Sequence, residues 1–164
     1  MNQAHLHLMI THLPIFGVFF GLFVLAYGMF AKSVHTQITA YLIFIISTIG
    51  ACIAYYTGES AEEVVEKMKD VSETAIKHHE SFAIYALVSL IVLGVFAAVA
   101  YVVTTFYTAY SKTIAPVVLI VALFSLGLVS WTGYLGGKIR HTEVNVTTGT
   151  TLITSEIEQE EEED

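Results

Sequence analysis

Charged residues are scarce in this chain of 164 residues: Asp, Glu, Lys and Arg make up 13% of it, whereas hydrophobic residues make up 55%. Four segments contain no charged residue at all, namely residues 10–31, 38–56, 82–107 and 114–135. Each reaches the roughly 17–25 residues that an α-helix needs to cross a bilayer. We therefore predict an all-α membrane protein whose residues 1–143 form a bundle of four transmembrane helices.

Cysteine is almost absent, and the single Cys52 excludes both an intrachain disulfide and a cluster of thiolate metal ligands. The chain has no nucleophile elbow, phosphate-binding glycine loop or zinc-protease motif, so no complete catalytic motif supports an enzyme. It also has no basic patch interleaved with aromatic residues, which argues against a nucleic-acid partner. No second domain and no repeat is apparent in the sequence.

The formal net charge of −8 is concentrated at the C-terminus, because seven of the fifteen acidic residues lie in the last ten positions. The remaining chain carries eight acidic against seven basic residues and is nearly neutral. Acidic runs of this kind are normally solvated and flexible. Residues 144–164 are therefore predicted to form a flexible, Thr-rich and acidic tail.

Histidine is distributed unevenly about the predicted bundle. Four spans place both termini and the long connection 57–77 on one side of the membrane. Six of the seven histidines then lie on that side, and only His35 lies on the other. Ionisable groups at a membrane boundary are costly unless they are paired or coordinated, so this clustering indicates a functional site.

The connection 57–77 is predicted to form a separate amphipathic surface helix between the second and third spans. Val64, Met68, Val71 and Ala75 recur at helical spacing and would form one apolar face. Ser60 followed by Glu63 matches a capping box at its start.

The types of side chain in the cluster indicate a metal centre. Imidazole is a common ligand of haem iron, copper and zinc, and nearby carboxylates favour harder ions. The candidate ligands are His7, His12, Glu59, Glu63, His79 and His141.

Two functional hypotheses use these ligands, and two others do not require them. The first is an electron-transfer protein that binds haem b through His12 and His79. The second is a non-haem site for iron, copper or zinc, catalytic or sensing, with carboxylate and histidine ligands. The others are a proton-relay or pH-sensing cluster and an accessory subunit of a larger membrane redox complex. Beyond the lipid bilayer, partners would be a redox protein or further copies of the chain.

Helix geometry restricts which histidines can share a site. His7 and His12 lie about 140° apart on a regular helix, so they could face one site only if the backbone breaks before Pro14. Without a break, His5, Met9 and His12 share a face. His78 and His79 differ by about 100°, and His79 is the one above the apolar residues that follow.

Several short motifs resemble a bacterial membrane family catalogued as domain of unknown function 2231. They are His7-x4-His12-Leu-Pro-Ile, Thr57-Gly58 with Ala61, His79 at the third span, and Gly-Tyr-Leu-Gly-Gly at 133–137. The likeness extends to about residue 143 and implies four helices in the bacterial inner membrane. Relatives joined to cytochrome-type domains imply redox chemistry. The chain departs from the family after Gly137, where Lys-Ile-Arg precedes His141.

Basic residues near the span ends predict the orientation in the membrane. Five of them, Lys67, Lys69, Lys77, Lys138 and Arg140, lie on the histidine side, whereas Lys32 and Lys112 lie on the other. Because positive residues are enriched in cytoplasmic loops, the histidine side and both termini are expected in the cytoplasm. The resemblance to cytochrome-linked proteins would instead suit a periplasmic site.

Overall fold

The computed structural model describes residues 3–66 and 73–140, and almost all of them are helical. The helices are α1 (Gln3–Ile10), α2 (His12–Phe30), α3 (Val34–Glu66), α4 (Glu73–Phe106) and α5 (Ser111–Arg140), with a short 3₁₀ turn at Thr108–Tyr110 before α5. No strand occurs in these two described ranges. The predicted all-α bundle is confirmed.

Within the part of the chain that the structure describes, four helices are long and apolar enough to cross a membrane: His5–Phe30, Val34–Val64, Glu73–Phe106 and Thr108–Ile139. The first combines α1 and α2. Thr11 lies between them, but its backbone N–H still donates to the His7 carbonyl at 3.0 Å. Thr11 also has helical backbone angles, with φ of −60° and ψ of −25°, so the chain passes from α1 into α2 without a sharp break although Pro14 lacks an N–H.

The predicted surface helix over residues 57–77 is not found as a separate element. Instead, α3 continues to Glu66 and α4 begins at Glu73, while residues 67–72 lie outside the described ranges. The predicted capping box is also corrected, because Ser60 lies inside α3 rather than at a helix start. No proline lies between Tyr56 and Glu66, so extending α3 avoids the unfavourable nucleation of a new helix.

A tight reversal joins α2 to α3. The Lys32 N–H donates to the Met29 carbonyl and the Ser33 N–H to the Gly28 carbonyl, at 3.2 and 2.9 Å. This pair of bonds is a Schellman motif, and it requires the left-handed conformation found at Lys32, with φ of 53°. The Ser33 hydroxyl then accepts a hydrogen bond from the Thr36 backbone N–H, which starts α3.

Many small side chains lie in the interior, together with Tyr41 and Phe44, whereas many of the other large aromatic side chains face outwards. Ala40, Ala97 and Ala122 are fully buried, whereas Phe23 and Phe30 are 61% and 89% exposed. This arrangement suits helices in lipid, where close backbone approach, rather than exclusion of water, holds the bundle together. Between α3 and α4 the Thr48 hydroxyl donates to the Leu90 carbonyl at 2.8 Å.

Gly94 should be essential for this contact between α3 and α4. A Cβ atom at Gly94 would lie 2.6 Å from the Thr48 hydroxyl oxygen, whereas one at Gly127 would meet nothing within 4 Å. We expect Gly94→Ala to destabilise the protein by about 1–3 kcal/mol through overpacking. Gly127→Ala should be neutral or stabilising. Thermal unfolding in detergent measures both, and equal melting temperatures would contradict the packing described.

Candidate functional site: a cavity between two histidines

A cavity of about 100 Å³ lies inside the bundle near the end at which α1 starts, α3 finishes and α4 begins. Its walls are mainly apolar and include the small residues Ala51, Ala83 and Gly133. The imidazoles of His7 and His79 also line it, and they are the titratable groups among its described lining residues, apart from Tyr55. The cavity therefore brings together one histidine from the first span and one from the third.

His7 is fixed by a hydrogen bond to the backbone of α3. Its Nδ1 lies 2.8 Å from the Ala54 carbonyl oxygen. Because a carbonyl oxygen can only accept, Nδ1 must carry the proton and donate it. The ring lies over Gly58, where an added Cβ would be 3.5 Å from the imidazole Cε1. Thr57 is buried beside it and donates its hydroxyl to the Ile53 carbonyl at 2.9 Å.

His79 is fixed in the same way to the backbone of α5. Its Nδ1 donates to the Thr132 carbonyl oxygen at 3.0 Å. The ring lies over Gly136, and this contact is tighter, because an added Cβ would be 3.0 Å from the imidazole Cε1. In both cases the accepting carbonyl lies one helical turn before the glycine beneath the ring.

These two hydrogen bonds determine the tautomer of both imidazoles. With Nδ1 protonated, the lone pair of each neutral ring is on Nε2. A histidine that binds a metal commonly donates its other ring nitrogen to a backbone carbonyl, which fixes the orientation of the ring. The arrangement can therefore supply two oriented nitrogen ligands or two hydrogen-bond acceptors.

His12 does not join this cavity. It lies on the exposed face of α2, where its Nδ1 donates to the Leu8 carbonyl at 3.0 Å and its ring stacks on Phe16. His5 and Met9 are exposed as well. The backbone does not break before Pro14. His12 therefore lies on the same outer face as His5 and Met9, which is the arrangement predicted for a regular helix. The structure pairs His79 with His7 instead.

The predicted carboxylate ligands also lie apart from the cavity. Glu59 and Glu63 are exposed on α3 and do not line it. Of the two adjacent histidines, His78 is exposed and His79 faces the cavity, as the helical spacing predicts. His141 lies outside the described residues. Within the described ranges, no group of three or more His, Cys, Asp or Glu side chains is placed to hold a metal ion.

Four features of the site were missed by sequence reasoning. They are the two backbone carbonyls, of Ala54 and Thr132, and the two glycines beneath the rings, Gly58 and Gly136. The repeated small residues in α3 and α5 indicate close approach of helices. That pattern does not reveal that an imidazole, rather than a backbone, occupies the space above two of these glycines.

No protein-family model, curated protein or solved structure matches the chain.

Gly136 and Gly137 provide a matched pair for testing how His79 is held. A Cβ atom at Gly137 would meet nothing within 4 Å. We expect Gly136→Val to displace the His79 ring and remove its hydrogen bond to Thr132, whereas Gly137→Val should leave both intact. Nitrogen-15 NMR of labelled histidine measures the Nδ1–H signal of His79. Retention of this signal in the Gly136 variant would contradict the contact.

Proposed function

We propose that His7 and His79 are the ligand pair of a redox metal centre, haem b in first place, and that the protein transfers electrons at one face of a membrane. The observation that carries the proposal is the matched orientation of the two imidazoles. Each donates Nδ1–H to a backbone carbonyl and keeps the Nε2 lone pair free. Both rings line one cavity.

The number of ligands favours haem over a bare metal ion. A porphyrin supplies four nitrogen ligands, so haem iron needs only one or two axial ligands from the protein. A bare zinc ion usually requires at least three protein ligands. The described residues offer two imidazoles at the cavity and no third side chain of a suitable type. The donor set therefore fits haem better than a carboxylate–histidine site.

The size of the cavity sets a condition on this proposal. About 100 Å³ is room for a few water molecules, whereas pockets for larger ligands commonly measure about 300–1,000 Å³. Haem binding therefore requires the helices around the cavity to separate. Ala51, Ala83, Ala86 and Gly133 line the walls, so separation would not displace bulky side chains at these positions.

The protein's own residues would hold and shield the centre. His7 and His79 would bind iron through Nε2, while the Ala54 and Thr132 carbonyls keep the rings from rotating. The apolar walls would exclude water and so favour a less charged state of the centre. When bound, haem supplies reversible one-electron chemistry at its iron. If both imidazoles held the iron, His7 and His79 would leave no ligand position for a substrate, which would favour electron transfer over catalysis.

A single transition-metal ion is the second candidate, and the cavity volume favours it. An ion with one or two waters fits the space of about 100 Å³ without movement of the helices. Copper is the preferred ion, because imidazole is among its common ligands and its affinity for nitrogen sites exceeds that of iron or zinc.

Replacing the cavity histidines should abolish binding of the centre. We expect His7→Ala and His79→Ala to lose most of the bound haem or metal, because each removes one of two ligands. His12→Ala and His78→Ala remove exposed imidazoles and should retain it. Visible absorption and metal analysis of purified protein measure the content. A wild-type protein with no Soret band and no stoichiometric iron, copper or zinc would disprove the proposal.

We further propose that this site lies on the cytoplasmic side of a bacterial inner membrane. The five basic residues near the span ends on the histidine side, against two on the other, support that orientation. A reporter that works only in the cytoplasm should therefore be active when it is fused to the C-terminus. Activity of an exported reporter, such as a periplasmic phosphatase, would reverse the orientation. A redox partner would then dock from the periplasm.

A further inference from the structure

The residues that line the cavity form two matching sets, one from each of two helical hairpins. The first hairpin consists of α1, α2 and α3, and the second consists of α4 and α5. Each cavity residue of the first span has a counterpart in α4 at one fixed spacing along the chain. Three such pairs are His7 with His79, Pro14 with Ala86, and Ile15 with Leu87.

The returning helices repeat in the same manner. Cavity residues of α3 correspond to cavity residues of α5 at a second fixed spacing: Ala51 with Val129, Ala54 with Thr132, and Tyr55 with Gly133. The hydrogen bonds follow this correspondence, since His7 donates to Ala54 and His79 to Thr132. Gly58 and Gly136, the residues beneath the rings, correspond as well.

The correspondence continues into the core beyond the cavity. Every buried residue of α2, from Pro14 to Gly28, has a buried counterpart in α4, from Ala86 to Ala100. Contacts between helices also recur. Gly17 lies against Ser47, and at the corresponding positions the Ser125 hydroxyl donates to the Ser89 carbonyl at 3.1 Å.

Most corresponding residues differ in type, which is why the sequence hides the repeat. Gly21 makes room for Phe44, whereas the counterparts are Leu93 and Ala122, so the larger residue is on the other helix. At the site, however, two pairs are identical: His7 with His79, and Gly58 with Gly136. The identical residues around the cavity are therefore the ring and the glycine beneath it, and Ser47 and Ser125 are an identical pair in the core beyond it.

We infer that the two hairpins are equivalent halves related by a local two-fold axis along the bundle, and that the cavity ligand lies on this axis and makes two equivalent bonds, one to Nε2 of each imidazole. The ligand class is a metal centre that accepts two equivalent nitrogen ligands. This ligand assignment rests on the proposed function, whereas the axis rests on the matched contacts alone.

Substitution of one histidine at a time tests the equivalence. His7→Met and His79→Met each replace one imidazole by a thioether, which haem iron also accepts. With hemin as the probe, we expect dissociation constants within about twofold of each other, both at least about tenfold above wild type, and matching absorption spectra. His12→Met and His78→Met are the controls. A tenfold or larger difference between the two cavity variants would overturn the inference.

A rearranged full-length chain tests the axis without any ligand. The chain is opened between Glu66 and Glu73, and its natural ends are joined through residues 141–164. If the hairpins are equivalent halves, this permutant should melt within about 3 °C of wild type, a shift of about 1 kcal/mol for a domain of this size. A second permutant, opened at Lys32, splits the first hairpin and should melt much lower. Equal destabilisation of both would overturn the axis.

These results separate the two proposals. A wild-type protein that binds neither hemin nor iron, copper or zinc would overturn the proposed function and the ligand assignment. The permutants would still decide whether the axis exists. If wild type binds hemin but the two methionine variants differ, the proposed function stands and the equivalence fails.

Discussion

One hydrogen bond, made twice, organises the candidate site: an imidazole N–H on one helix donates to a backbone carbonyl on the antiparallel neighbour. It connects His7 to Ala54 and His79 to Thr132. A helix carbonyl already accepts from its own helix, but its oxygen has a second lone pair for such a bond. Each bond joins two spans, fixes a tautomer and orients a ring at once. The rest of the site depends on it, because without this bond the Nε2 atoms would have no defined direction.

The imidazoles pack over glycines beside these bonds. An added Cβ at Gly136 would lie 3.0 Å from the His79 ring, which is tighter than an ordinary contact, whereas one at Gly58 would lie 3.5 Å from the His7 ring, an ordinary contact distance. Elsewhere in the bundle, the absence of a side chain at glycine lets two helices contact each other directly, as at Gly94 against Thr48. Small residues therefore have two uses in this protein, and only the three-dimensional contacts distinguish them.

Sequence patterns predicted the spans well, because uncharged apolar segments of sufficient length have few alternatives to a transmembrane helix. They also predicted that His79, rather than His78, faces inwards. The pairing of His79 with His7 instead of His12 depends on the rotation of the first helix about its axis. Composition does not specify that rotation, and Pro14 left open a backbone break that does not occur. The separate surface helix was predicted from an apolar face that instead belongs partly to the ends of α3 and α4.

The Schellman reversal at Lys32 shows how little of the protein extends beyond the membrane on the side away from the cavity. There α2 passes into α3 within a few residues, and a single 3₁₀ turn leads from α4 to α5. Two connections of this size offer little surface for contact with a water-soluble protein. The opposite side has the starts of α1 and α4 and the described ends of α3 and α5. The two short connections therefore lie at the end of the bundle opposite the two imidazoles, so that the cavity and the compact reversals occupy different ends of the same four spans.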